Sequence, residues 1–132
     1  EGLTIGYAQQ DVEVVTDTKN DESTMYATYA IGGFTVGIQM SENDSEAGTD
    51  YESTGIGISY QVNDDLTVSY GAHEIEAVGS GNPDQETAAF GISYTMGSLS
   101  IGAAVHDGDN ITNSADDTNQ REKYSLGLTF NF

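Results

Sequence analysis

The sequence has no cysteine and no tryptophan, one proline, and three basic residues against 22 acidic ones, for a formal net charge of -19. Without cysteine there is no disulfide framework and no thiol chemistry. So few lysines and arginines supply no basic face for a nucleic-acid backbone. Long hydrophobic runs are also missing. No stretch approaches the roughly 18 to 20 apolar residues that a spanning helix needs, and hydrophobic residues make up only 36% of the chain. Apolar spacings of three and four are not sustained, so no helix is expected. There is no initiator methionine and no signal peptide, so a mature chain or a fragment of something longer is expected. Its 132 residues suffice for one ordinary domain. An acidic composition with sixteen glycines could mean disorder, but the placement of the residues argues against it.

What is present is a period of two. In the last nine residues, Tyr124, Leu126, Leu128, Phe130 and Phe132 alternate with Ser125, Gly127, Thr129 and Asn131. Alternate side chains of an extended strand point to opposite faces. One face is therefore bulky and apolar, the other small and polar. The pattern returns along the chain and predicts eight strands, at about residues 2–9, 24–31, 34–41, 53–62, 66–73, 87–96, 99–106 and 124–132. The second is the least regular, with Tyr26 on the small-residue side.

The predicted connections alternate between long and short. Gly32-Gly33, Asn63-Asp64-Asp65 and Gly97-Ser98 read as short turns. The long connections, about 11–23, 42–52, 74–86 and 107–123, hold every acidic residue except Glu1, Asp64 and Asp65. In an up-and-down meander all long loops fall at one end. Charge-free bands of strand length capped by charged loops suit an antiparallel transmembrane β-barrel. Tyr124 to Phe132 spans roughly 26 Å at about 3.3 Å per residue, enough for the apolar belt when tilted. Tyr29, Phe34, Tyr60, Tyr94, Phe130 and Phe132 gather near the short turns as one aromatic girdle, with Tyr7, Tyr70 and Tyr124 nearer the other end.

The terminal stripe Tyr124, Leu126, Leu128, Phe130, Phe132 and the motifs Gly55-Ile56-Gly57-Ile58-Ser59-Tyr60 and Phe90-Gly91-Ile92-Ser93-Tyr94 resemble Gram-negative outer-membrane porins of the general-diffusion type. A last strand ending on phenylalanine resembles the signal read by the barrel-assembly machinery. The resemblance implies a passive, water-filled channel for small hydrophilic solutes and a homotrimer in the outer membrane of a Gram-negative bacterium. It also implies lipid and lipopolysaccharide as surroundings, and no enzymatic activity. A closed eight-stranded barrel would be filled by its own side chains, which glycine, serine, threonine and alanine cannot do. A sixteen-stranded barrel needs about twice this length. The expectation is therefore the C-terminal half of a larger porin. No N-terminal half, constriction loop or arginine cluster is readable. The alternatives are a small non-conducting eight-stranded barrel acting as anchor or adhesin, and a soluble calcium-binding β-protein.

Gln39, Gln61, His73, His106, Thr129 and Asn131 fall on the small-residue side and are expected to face the lumen. Two histidines alone are too few for a metal site, so His73 and His106 read as lumen-facing or solvated. Asp107, Asp109, Asp116 and Asp117 suggest weak divalent-cation binding, with a solvated loop as the plainer reading. EF-hand order is absent. The resident cofactor expectation is none, with calcium or magnesium bridging loop carboxylates to lipopolysaccharide phosphates. Acidic loops focus cations at a pore mouth, so weak cation preference is expected. No Ser-His-Asp grouping is readable.

Overall fold

The computed structural model describes residues 1–15, 18–114 and 120–130. It contains eight strands: β1 (Gly2–Val15), β2 (Thr18–Ile31), β3 (Phe34–Ser45), β4 (Tyr51–Gln61), β5 (Leu66–Ala77), β6 (Gln85–Met96), β7 (Leu99–Asp109) and β8 (Arg121–Phe130). Each pairs antiparallel with its sequence neighbours, in the order β1 to β8. At the short connections, Gly32 and Gly97 take the left-handed conformation, with φ of 56° and 60°. Asn63 closes the short turn between β4 and β5, its Oδ1 accepting from the amides of Asp65 and Leu66 at 2.9 Å each.

The register keeps like with like. Tyr29 lies opposite Val36, Ile38 opposite Ile56, Tyr70 opposite Phe90, and Ile101 opposite Leu128. Between these rows Gly37 faces Gly57, Ser59 faces Ser69, and Gly102 faces Gly127. A slip of one residue would invert both faces, so the alternation itself pins the register. Tyr26, the exception in β2, stands directly opposite Gly6. A Cβ at Gly6 would fall inside the Tyr26 ring. The ring thus covers its neighbour's bare backbone on the small-residue face.

The sheet is one layer thick. Among the described residues the buried apolar side chains reduce to Ala77, and no side chain is less than 2% exposed. The apolar face is open everywhere, most of all at its two edges: Tyr7 is 66% and Leu126 73% exposed, against 41% for Val36 in the middle. Among the described residues β1 pairs only with β2, and β8 only with β7. This is an open, partial barrel. A complete eight-stranded barrel would need a β1–β8 ladder.

The strands outrun the lengths read from charge. Residues expected in long loops, including Asp11, Glu22, Glu42, Glu52, Glu74, Glu86, Asp107 and Glu122, lie on strands. The reason is that the backbone ladder does not end where the apolar stripe ends. β1, with fourteen residues, extends about 43 Å at about 3.3 Å per residue. Even tilted, it rises beyond an apolar belt of about 25 Å, and there carboxylates meet water while the backbone ladder continues. Val62, expected in the fourth strand, lies just beyond it.

Replacing the ring over Gly6 tests the pairing. Tyr26→Ala should lower the unfolding free energy by about 0.5–1 kcal/mol, the scale of one cross-strand pair. Urea unfolding of the detergent-folded protein reads this directly, with Tyr29→Phe as the silent control.

Candidate functional site: the small-residue wall and its inward loop

The small-residue face is built from every second position of all eight strands. Gln39, Gln61, His73, His106 and Thr129 all stand on it, in phase with Gly37, Ser59, Gly71, Ala104 and Gly127. Asn131 and Phe132 lie outside the described residues. Its polar groups largely serve one another. Thr24 Oγ1 donates to Ser41 Oγ at 2.9 Å, Thr95 and Ser100 share a hydroxyl contact at 3.1 Å, and Thr87 Oγ1 donates to the His73 carbonyl at 3.3 Å. Glu22 accepts from the side-chain amides of Gln10 and Asn43.

The chain after β7 does not project freely. Asn113 is 7% exposed, and its Nδ2 donates to the carbonyls of Ile75 (2.7 Å) and Pro83 (3.3 Å). Asn110 Nδ2 donates to the Asp84 carbonyl at 3.0 Å, and the Thr112 amide to Gln85 Oε1 at 2.9 Å. Ile111 lies over Gly108, where any Cβ would come within 2.9 Å of its Cδ1. Gly108 belongs to the small-residue face, so residues 110–114 are folded onto that face. Asn110, Thr112 and Asn113 all have positive φ, at 50°, 65° and 53°. A β-branched residue there is strained, and such strain persists only where the surroundings impose it. The loop and the wall enclose a cleft of about 580 Å³ between Glu22, Asn43, Tyr51, Gln85, Thr112 and Asn113. No constriction loop was readable in the sequence. Asn110 and Asn113, the residue type that tolerates left-handed backbone and donates to carbonyls, were the local signal for this folded-back segment.

The opposite face carries two zones. Tyr29, Phe34, Tyr60, Tyr94 and Phe130 lie on it toward the short turns. Phe34 and Tyr60 stack with ring centres 4.3 Å apart. Tyr124, Leu126, Leu128 and Phe130 continue it along β8. Toward the other end, carboxylates take over the same positions. Asp11 faces Asp21, Glu42 faces Glu52, Glu52 faces Glu76, Glu74 faces Glu86, Glu86 faces Asp109, and Asp107 faces Glu122. Of the carboxylates on described strand positions, only Glu22 points to the small-residue face. The signal for this band was present in the sequence: acids two apart, as in Asp11 and Glu13 or Glu74 and Glu76, keep the phase of the apolar stripe. Asp107 and Asp109 belong to the band, while Asp116 and Asp117 lie outside the described residues. Among the described residues no group of three or more acidic or imidazole side chains is gathered to hold a metal ion.

Removing the Asn113 donor isolates the loop contact. Asn113→Asp keeps size and left-handed tolerance but cannot donate to two carbonyls. It should speed hydrogen exchange of the Thr112 to Ser114 amides about ten-fold, the loss of roughly one net hydrogen bond, and leave strand amides unchanged.

A family model of Gram-negative porins matches residues 2–132. No curated protein matches. Among solved structures, the chain superposes on a loop L8 deletion mutant of OmpT, an outer membrane protein of Vibrio cholerae, with a TM-score of 0.70 and 19% identity, covering 97% of this chain and 49% of that one. In-vitro folded OmpT of the same organism, in its trimer form, gives 0.66 at 16% identity, with 97% and 51% covered. Outer-membrane expressed OmpT gives 0.64 at 17% identity with the same coverage. The chain thus spans about half the length of the structures it matches.

Proposed function

Because the chain belongs to the Gram-negative porin family, and hence to the outer membrane, we propose that it forms part of the wall of a water-filled channel for passive diffusion of small hydrophilic solutes. The observation that carries this reading is the two-faced, coreless sheet. Large apolar groups are exposed on one side, and glycine, serine, threonine and alanine cover the other. In a bilayer the first face meets hydrocarbon and the second meets water. The half-length match and the two open edges support a larger barrel, about sixteen strands, of which these eight are half. Residues 110–114, folded onto the wall, narrow its mouth. The channel performs no catalytic step.

One matched structure is described as a trimer form. A homotrimer is proposed for this chain too, with part of the apolar face buried between subunits. The terminal stripe of β8, continued by Phe132, is the proposed contact for the barrel-assembly machinery. The carboxylate band places like charges directly opposite one another, an arrangement that destabilises an antiparallel pair. Calcium or magnesium shared with lipopolysaccharide phosphates would relieve that repulsion. The same band makes the mouth negative and gives small ions a weak cation preference.

Three measurements test the reading. Single-channel recording in planar bilayers should show steady conductance, with a reversal potential in a salt gradient weakly favouring cations. Anion preference would remove the cation assignment, and absence of conductance would remove the channel. Ile58→Lys, on the apolar face, should cost about 2–4 kcal/mol of folding stability in vesicles, whereas Ser59→Lys should cost far less. Equal costs would mean that the two faces do not meet different solvents. Chelation of divalent cations should lower the thermal unfolding temperature in vesicles containing lipopolysaccharide, and not in phosphatidylcholine vesicles.

A further inference from the structure

We infer that the small-residue wall across β5–β8 carries a contact track for small oxyanions, that is, solutes bearing a carboxylate or phosphate group. The inference rests on the channel reading, since that reading makes this face the lumen wall. Its basis is the segregation of charge between the faces. The charged side chains on described strand positions of the small-residue face are Glu22, Arg121 and Lys123, accompanied by His73 and His106. Glu22 lies on β2, six strands from β8, roughly 29 Å across the sheet at about 4.8 Å per strand. His106, Lys123 and Arg121 gather on β7 and β8, at the opposite side and toward the end bearing the carboxylate band, with His73 on β5 midway across the sheet.

Their register places them together. His106 is directly opposite Lys123, and Arg121, two residues before Lys123 on the same face, is opposite Gly108. Ala89 is opposite His106, and Thr87 opposite His73. His73 and His106 line one cleft of about 500 Å³, floored by Gly71 and Ala89 and edged by Thr87. His73 Cδ2 lies 3.3 Å from where a Cβ at Gly55 would stand. Small neighbours thus leave the two imidazoles along an open cleft, while Lys123, opposite His106, and Arg121 are exposed on the same face. Arg121 offers a planar fork that suits a carboxylate or phosphate. Lys123 offers a compact charge, and the imidazole N–H groups add donors. An oxyanion among them would also offset the repulsion between Lys123 and Arg121, two residues apart on the same face. Glu86, Asp107 and Glu122 sit at a similar height but on the other face, with the sheet between them and the track. The mouth and the wall therefore differ in sign: the rim draws small cations, and the wall holds anionic solutes that have entered.

The test uses the full protein in planar bilayers, with inorganic phosphate as one probe and acetate as the other. Either should block the current in a concentration-dependent way. In the Arg121→Gln, Lys123→Gln double variant the half-blocking concentration should rise about ten-fold or more, as expected for losing charge-assisted hydrogen bonds. Lys19→Gln, which changes net charge on the other face, should leave it unchanged. Unaltered block in the double variant, or equal weakening by Lys19→Gln, would overturn the track. A protein without conductance would sink the channel reading instead. The track is then decided by phosphate titration in detergent micelles, following the ring resonances of His73 and His106. Shifts abolished by the double variant support it, and no shift overturns it.

Discussion

Every backbone amide inside hydrocarbon must find a partner within the protein, because no water is there to serve it. That demand organises this chain. Its eight strands satisfy one another laterally, neighbour to neighbour, and the described residues form no second layer. A soluble sheet of this size would bury one face against another element. Here the apolar face stays open, and the surrounding solvent replaces the missing core. The same demand leaves β1 and β8 unfinished, each with one edge of polar backbone that only further strands can satisfy. The matched structures, about twice as long, fit that arithmetic.

Within the ladder, side chains sort by face and by height. On the apolar face, hydrocarbon groups give way to carboxylates without a change of phase or of backbone. On the small-residue face, glycine and alanine keep the surface low, and among the described strand positions formal charge appears at two places: Glu22 on β2, and Arg121 and Lys123 on β8. The net charge of -19 therefore describes the rim of the molecule and says little about its wall. The loop after β7 adds a third level. It is bound by side-chain amides to carbonyls of other strands, and strained residues hold it over the wall.

Most of the architecture could be read from alternation. Leu126, Leu128 and Phe130, or Ile56, Ile58 and Tyr60, announce strand, face and solvent together, since one side-chain period serves all three. Turns were legible where their chemistry is local, at Gly32-Gly33, Gly97-Ser98 and Asn63. Strand ends were less so. Acidic residues suggest loop by their charge, although Asp11 and Glu13, or Glu74 and Glu76, continue the stripe in phase. Charge reports the height of the bilayer and not the end of hydrogen bonding.

From the order of residues alone follow the eight strands, their two faces, the placement of small and bulky groups, and the porin likeness. Those depend on near neighbours, i and i+2, and need no knowledge of the fold. Only the folded sheet decided that residues 110–114 turn onto the wall, that carboxylates stand opposite carboxylates, and that His106 stands opposite Lys123 with Arg121 on the same face. Such pairings join positions far apart in the chain. They arise from register and sheet curvature, which a linear sequence does not display.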